Sequence, residues 1–148
     1  MIETLSQDIA GPPERVYAVL IDQDAWAALD PPLVDFTPRG PLAVGMTGTM
    51  TRKAAGRRMT SGWTILELEP GTRFAMKVTG AGYELIETIT FEATAGGTRA
   101  TTMDDYRHTS LGGRLLIAVS GPFIRRDLRE RYKRLTALVE GDGSFSGE

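Results

Sequence analysis

The stretch of residues 111–140 constrains the fold most, because it predicts one long amphipathic helix. Apolar residues and one glycine recur at three- and four-residue steps along one side: Ile117, Gly121, Ile124, Leu128, Leu135, Leu138 and Val139. Charged residues occupy the opposite side: Arg125, Arg126, Arg129, Glu130, Lys133 and Arg134. About thirty helical residues span roughly 45 Å. The rest of the chain must supply an apolar surface of that length, and Pro122 should kink the helix or divide it at Gly121.

The middle of the chain predicts that surface as an antiparallel sheet. Four turn signals divide it, at residues 54–57, 70–71, 80–82 and 95–97. Even-length hairpin loops there predict facing pairs on neighbouring strands. The predicted pairs are Arg52–Met59, Met50–Ser61, Gly48–Trp63, Glu67–Phe74, Ile65–Met76, Trp63–Val78, Val78–Tyr83, Met76–Leu85, Phe74–Glu87, Phe91–Thr102, Ile89–Asp104 and Glu87–Tyr106.

These pairings place the larger apolar residues on one face of the sheet. The other face collects threonines and charges, which suit a surface in contact with water. Leu66, Leu68 and Ile86 break this alternation, and we expect loops or a partner to cover them. Gly48 lies opposite Trp63 and predicts free space beside the indole ring.

Composition limits the classes of protein that remain. The chain has 148 residues, enough for one domain with a substantial core. Its net charge of −2 does not favour nucleic-acid binding, and the absence of cysteine excludes disulfides and thiolate chemistry. No apolar run has the length of a membrane span and no signal-peptide pattern opens the chain, so we expect a cytoplasmic protein, monomer or homodimer.

The N-terminal third predicts a strand followed by two short helices. Residues 2–10 alternate loosely as a strand, and Pro12, Pro13 and Glu14 then suit the first turn of a helix. Residues 24–29 predict a second short helix anchored by Trp26. Residues 33–45 have room for one short strand, and residues 141–148 predict a flexible tail after a single domain of residues 1–140.

Several segments form an ordered series along the chain: residues 9–17 and 22–26, Val44-Gly45-Met46, residues 66–70 and 96–99, and the closing helix. Together they resemble the START-like superfamily, most closely its bacterial polyketide cyclase/dehydrase (SRPBCC) group. It implies the α+β helix-grip fold, in which a seven-stranded antiparallel sheet wraps around a long C-terminal helix and two short helices follow the first strand. Members of this superfamily include lipid and sterol carriers, quinone-binding proteins, polyketide cyclases and hormone receptors, so the resemblance implies a ligand site and leaves the reaction open.

The inner face of the predicted sheet and the helix stripe together give the candidate ligand-binding residues. A mostly apolar wall with a few convergent polar groups is typical of a small-molecule site. The candidates are Met50, Arg52, Trp63, Ile65, Phe74, Met76, Tyr83, Leu85, Glu87, Ile89, Phe91, Asp104, Tyr106, Ile117, Ile124, Leu128 and Arg131. Ser61, Glu67 and Thr102 are further polar residues on that face.

Charged residues among these candidates suggest a polar centre. One hypothesis is that Arg131 or Arg52 offsets Glu87 or Asp104 inside the cavity, while Tyr106 donates a hydrogen bond to a ligand carbonyl or phenol. The alternative is that these charges lie near the rims of the sheet, where long side chains reach water.

Catalytic residues are not identified by any sharp motif. Glu87, Asp104, Tyr106 and His108 are the weak candidates, and His108 is the obvious general base because it is the only imidazole. Asp104 and Asp105 cannot cooperate on one substrate, since adjacent strand residues point to opposite faces. One histidine and no cysteine exclude a multi-histidine or thiolate metal site, and we expect no cofactor.

Three functions remain open. The first is binding of a small hydrophobic or aromatic molecule, lipid-like or polyketide-like, between the sheet and the C-terminal helix. The second is a cofactor-free cyclase or dehydratase that uses the same cavity. The third is a protein-interaction module like the START-like activators of chaperone ATPases, for which Leu66, Leu68 and Ile86 are the candidate surface.

Overall fold

The structure is a computed structural model that describes residues 1–54 and 56–146, with side chains described for residues 1–53 and 56–141. Its elements run in the order β1 (Ile2–Ile9), α1 (Pro13–Ile21), a 3₁₀ turn (Gln23–Ala25), α2 (Trp26–Leu29), β2 (Leu33–Thr37), β3 (Thr47–Ala54), β4 (Arg57–Glu69), β5 (Arg73–Gly80), β6 (Tyr83–Thr94), β7 (Gly97–His108) and α3 (Leu111–Ser146). The predicted α+β architecture is confirmed.

The seven strands form one antiparallel sheet in the order β1-β7-β6-β5-β4-β3-β2. The first hairpin has the predicted register, with Gly48 facing Trp63 and Met50 facing Ser61. The order places β1 beside β7, so the two ends of the strand sequence meet within the sheet. Strand β7, between β1 and β6, therefore lies near the middle of the surface that α3 covers.

A bulge changes the register of the second hairpin. Ile65 faces Met76 as predicted, but the register shifts between Ile65 and Glu67. Glu67 therefore faces Ala75, and the predicted Glu67–Phe74 pair is wrong. The bulge turns Glu67 away from the inner face. On the outer face Glu67 forms an ion pair with Arg73.

The same bulge turns Leu68 inward. Leu68 faces Phe74 and packs against the core, so the prediction that it lies outside the core is wrong. Leu66 stays 37% exposed, and Ile86 is half-buried.

The last two hairpins differ from the predicted register by two residues. The turn between β5 and β6 contains only Ala81 and Gly82, and Gly82 has a φ of 80°, which favours glycine. Instead of the predicted partners, the facing pairs are Gly80–Tyr83, Val78–Leu85, Met76–Glu87 and Phe74–Ile89. Between β6 and β7 they are Leu85–Tyr106, Glu87–Asp104, Ile89–Thr102 and Phe91–Ala100. A shift of two keeps every side chain on its predicted face.

Helix α3 lies on the inner face of the sheet and contacts β1, β6, β7, α1 and α2. Its buried side chains include Leu128, Tyr132, Leu135 and Val139, which join the core of the sheet. Ser110 caps the helix, because its Oγ accepts a hydrogen bond of 3.0 Å from the Gly113 amide. The helix runs unbroken through Pro122, so the predicted division at Gly121 does not occur.

Beyond residue 140, α3 continues to Ser146. The flexible tail of residues 141–148 stays a prediction, and residues 147–148 lie outside the described residues. Within the described part of the chain, no helix is both long and apolar enough to cross a membrane.

Candidate functional site

Two buried carboxyl groups face each other on neighbouring strands beneath α3. Glu87 on β6 and Asp104 on β7 are direct cross-strand partners, and they are 6% and 0% exposed. Both residues were predicted as site candidates. Their direct pairing was not predicted, because the predicted register placed Asp104 opposite Ile89, two residues further along β6. Facing side chains in an antiparallel pair have Cβ atoms about 5 Å apart, and so the two carboxyl groups interact directly.

Arg131 of α3 supplies the counter-charge. Its Nη2 donates a hydrogen bond of 3.1 Å to Glu87 Oε2 and lies 3.9 Å from Asp104 Oδ2. The hypothesis that Arg131 offsets these carboxylates is therefore what the structure shows. The negative charge of Glu87 raises the pKa of Arg131, so this guanidinium stays charged.

The two carboxyl groups have opposite preferences for a proton. Burial and the charge of the facing Glu87 raise the pKa of Asp104 to about 9. Burial is the largest influence on Glu87 and disfavours its charge, but the charge and hydrogen bond of Arg131, the hydrogen bond from Asp104 and the charge of Arg52 together outweigh burial and lower the pKa of Glu87 below its ordinary value. Near neutral pH the pair therefore holds one proton, on Asp104, and one negative charge, on Glu87.

Unpartnered polar atoms lie beside this pair. Both carboxyl oxygens of Asp104 and the Nε of Arg131 are buried without a hydrogen-bond partner in the described part of the chain. A proton on Asp104 can be donated to Glu87, which leaves one Asp104 oxygen and Arg131 Nε free. Buried polar groups in folded proteins are nearly always paired, so these atoms need a partner from outside the described residues, either a water molecule or a ligand atom.

Two tyrosines border the same centre. Tyr132 on α3 is buried and forms a hydrogen bond with the Thr102 hydroxyl, and burial raises the pKa of its phenol. Tyr132 was not predicted as a site residue, although its position four residues after Leu128 is a signal for the buried side of the helix. Tyr106 is half-buried opposite Leu85, and burial together with Asp104 raises its pKa.

Arg52 has a different partner from the one predicted. It forms a two-pronged ion pair with Asp30, with a distance of 3.0 Å between Nη2 and Oδ1. Arg52 therefore does not pair with Glu87 or Asp104. Asp30 ends α2, and no periodicity in the sequence signals its contact with β3.

Trp63 anchors the core. Its ring stacks on Phe36 with the ring centres 4.4 Å apart, and its Nε1 donates a hydrogen bond of 3.0 Å to the Thr49 carbonyl. A Cβ on Gly48 would lie 2.5 Å from the Trp63 ring and 2.0 Å from the Thr37 carbonyl oxygen. The prediction of free space at Gly48 is therefore wrong, because the indole already fills it.

The inner face divides into a closed half and an open half. The closed half holds the buried candidates Met50, Trp63, Ile65, Phe74, Ile89, Phe91 and Leu128. The open half holds the candidates that are only half-buried: Met76, Tyr83, Leu85, Tyr106 and Ile124. Along β6 the change falls between Glu87 and Leu85, and along β7 between Asp104 and Tyr106. The carboxyl pair therefore lies at the boundary between the two halves.

The remaining candidates lie at the edges of this arrangement. Ile117 is buried at 9% exposure on the first half of α3, and Ser61 is half-buried on β4. His108 is exposed at the end of β7, opposite Tyr83 and four residues from Asp104, which is about 13 Å along a strand. No group of three or more histidine or acidic residues suited to a metal ion occurs in the described residues.

A surface cleft that the sequence did not predict lies outside the sheet–helix interface. It has a volume of about 590 Å³ and lies between α1, the 3₁₀ turn and the connection after β2, with Leu68 and Pro70 on its other side. Two pairs of contacts occupy polar groups of its lining: Arg39 with Asp24, and Gln23 with Gly40.

Fold and site together define a helix-grip protein with a polar centre between sheet and helix. The sequence matches the family described as "Polyketide cyclase / dehydrase and lipid transport" over residues 4–140. The chain belongs to this family, and the resemblance to the polyketide cyclase/dehydrase group is confirmed. No curated protein matches the sequence.

Solved structures share the whole fold. Protein CV1439 from Chromobacterium violaceum is 25% identical, with a TM-score of 0.74 over 94% of this chain and 97% of its own. The protein TTHA0849 from Thermus thermophilus is 18% identical, with a TM-score of 0.77 over 96% of this chain and 99% of its own. The di-domain ARO/CYC StfQ from the steffimycin biosynthetic pathway is 13% identical, with a TM-score of 0.79 over 97% of this chain and 52% of StfQ.

Proposed function

We propose that this protein binds a small hydrophobic or aromatic molecule bearing a carbonyl or phenol in the open half of the sheet–helix interface. The observation that carries this proposal is the position of the Glu87–Asp104 pair at the boundary of the closed half, with free polar atoms on Asp104 and Arg131. Apolar side chains such as Met76 and Leu85 would hold the body of the ligand.

The polar centre suits one kind of ligand group. Arg131 Nε can donate a hydrogen bond to the oxygen of a carbonyl or a phenol, and the Asp104 oxygen that is not bonded to Glu87 can accept one from a phenol hydroxyl. Ionised Glu87 is already balanced by Arg131, so a neutral ligand adds no uncompensated charge. A carbonyl or a phenol therefore fits better than a carboxylate.

Native mass spectrometry of protein purified from its own host tests this proposal. The expected result is a co-purified small molecule that is lost in Met76→Trp, where the larger ring fills the open half. Thr79→Trp is the matched control, because Thr79 is exposed on the other face of the same strand. Loss in the control as well, or retention in Met76→Trp, would exclude the interior site.

A second candidate is cofactor-free cyclisation and dehydration, favoured by the two carboxyl groups that share one proton. Ionised Glu87 would take a proton from the carbon between two carbonyls of a bound chain, and that carbon would attack a further carbonyl. Asp104 would give its proton to the oxygen of the attacked carbonyl, which becomes a hydroxyl. Asp104 would then take the second proton of the attacking carbon while Glu87 returns the first proton to the hydroxyl, so that water leaves, a C=C bond forms and both carboxyl groups regain their starting state. The reaction needs no oxidant or reductant, since only water is lost.

Incubation with a synthetic poly-β-ketone thioester, followed by mass spectrometry, tests the reaction. The expected product is lighter by one water, and Asp104→Asn should abolish it while the thioester still binds. Binding without any product, in the unaltered protein, would leave the carrier function and exclude the enzyme.

A further inference from the structure

The first half of α3 carries a second apolar face that nothing in the described part of the chain covers. Leu111, Leu115, Val119 and Phe123 follow one another at four-residue steps and are 84%, 67%, 59% and 66% exposed. We call these four residues the outer stripe. Isolated exposed apolar residues are ordinary, but a contiguous row of four large ones is not.

The outer stripe lies on the side of α3 opposite its buried side. Each residue turns the helix by about 100°, so the four side chains cover a sector of roughly 120°. Gly113, Ile117 and Gly121, which are buried, fall on the other side. This part of α3 is therefore apolar on both sides, which is unusual for a helix that has only one covering surface.

Positive charge accompanies the outer stripe. The chain has no acidic residue from position 108 to position 126, whereas Arg114, Arg125 and Arg126 lie in that segment. Continued along α3, the sector of the stripe contains the exposed Arg126, Arg129 and Lys133 together with one acidic residue, the half-buried Glu130.

Most of this charge is free. Arg125 is paired with Glu3 at 2.8 Å and Lys133 with Glu130 at 3.5 Å. Arg114, Arg126 and Arg129 form no ion pair with any residue whose side chain the structure describes.

We propose that the outer stripe docks the protein on the surface of an anionic phospholipid bilayer. Such a surface complements both features, because its acyl region accepts the apolar side chains and its phosphates accept the unpaired arginines. A second copy of this chain would complement the apolar row alone and would add its own positive charge to the interface. The proposal does not depend on a ligand in the sheet–helix interface.

Docking through the outer stripe would also set the orientation of the open half of the sheet–helix interface relative to the membrane. Gly113 lies against Gly82 in the β5–β6 turn and Gly121 lies near Met1, so the first half of α3 runs along the end of the sheet where Tyr83, Leu85 and Tyr106 are half-buried, with the outer stripe on its far side. Docking through the stripe would bring that end close to the membrane.

Co-sedimentation with vesicles tests the docking. The expected result is binding to mixed phosphatidylcholine–phosphatidylglycerol vesicles, weak binding to phosphatidylcholine alone, and release by high salt. Leu115→Ser with Phe123→Ser should weaken binding about tenfold or more. Arg126→Gln with Arg129→Gln should remove the preference for the anionic lipid.

Val44→Ser is the matched control, because Val44 is 64% exposed on the connection between β2 and β3, away from the stripe. It should bind as the unaltered protein does, and circular dichroism should show all variants folded. Three results would overturn the proposal: no binding to anionic vesicles, equal loss in Val44→Ser, or a dimer in sedimentation velocity that Leu115→Ser with Phe123→Ser dissociates while vesicle binding is unaffected.

Discussion

Glu87 and Asp104 face each other across β6 and β7 beneath α3, and Arg131 reaches both of them from the helix. Like charges at this separation cannot both persist in a buried place, so one carboxyl group keeps its proton. The arrangement gives neighbouring groups different roles near neutral pH: a charged acceptor, a neutral donor and a fixed cation.

The first prediction concerns the coupling of Glu87 and Arg131. Glu87→Gln and Arg131→Met should each destabilise the fold, by roughly 3–5 kcal/mol when the change leaves a buried charge without its partner. The double variant should be less unstable than the sum, with a coupling of roughly 1–3 kcal/mol in urea unfolding. Additive free energies of unfolding would show that the contact contributes nothing of its own.

The second prediction concerns pH. The pKa of Asp104 is about 9 in the folded protein and 3.8 ordinarily, so the folded state binds one more proton between these values. Stability that comes from Asp104 is complete below the ordinary value and is lost as pH rises through about 9.

Asp104→Asn removes this dependence, because an amide does not titrate. Relative to the unaltered protein, the variant should gain stability as pH rises from about 6 to about 9, by at most about 1.4 kcal/mol per pH unit. Glu87 does not interfere, because its pKa is lowered and it titrates below that range. A stability difference that is constant over the range would mean that Asp104 is ionised throughout it.

The third prediction concerns the start of α3. A Cβ at position 113 would lie 1.7 Å from the Gly82 carbonyl oxygen, whereas one at position 112 would meet only Ser110 Oγ at 3.9 Å. Gly113→Ala should therefore destabilise the fold by about 1–3 kcal/mol. Gly112→Ala should be neutral or stabilise by up to about 1 kcal/mol, because alanine favours helix. Equal melting temperatures for the two variants would contradict the close contact of α3 with the β5–β6 turn.

The fourth prediction concerns Tyr132. Tyr132→Phe removes the hydroxyl bonded to Thr102 and leaves the Thr102 hydroxyl buried without that partner. The expected cost in thermal or urea unfolding is about 1–3 kcal/mol. Thr136→Val offers a comparison, because Thr136 is half-buried one turn later and bonds only within the helix, to the Tyr132 carbonyl. A larger loss in Thr136→Val would place the important bond elsewhere.

Periodicity predicted the helix and the two faces of the sheet because both depend on which side a residue points to. The register errors in the β5–β6 and β6–β7 hairpins amounted to two residues, so each face kept its members. The turn lengths themselves could not be predicted, because each cluster of glycine and alanine allows a two- or a four-residue loop.

The contacts within the site depend on turn geometry, bulges and long-range pairing, which periodicity does not predict. Glu87 and Asp104 were both candidates, but their contact required the correct turn length between β6 and β7. Glu67 left the inner face because of a bulge that the sequence does not signal. Arg52 on β3 forms an ion pair with Asp30, which lies 22 positions earlier at the end of α2, and no sequence pattern predicts this contact. The outer stripe was not predicted, because the helix was expected to have one apolar side, although its four residues recur at four-residue steps in the sequence.

Methyl NMR of the protein during titration with 1-naphthol, an aromatic phenol, tests the proposed binding place most directly. We expect saturable shifts of the Met76, Leu85 and Ile124 methyl signals, which lie in the open half next to Glu87 and Asp104. Shifts confined to Ile21 and Leu42, which line the surface cleft, or no saturable shifts at all, would contradict binding between the sheet and α3.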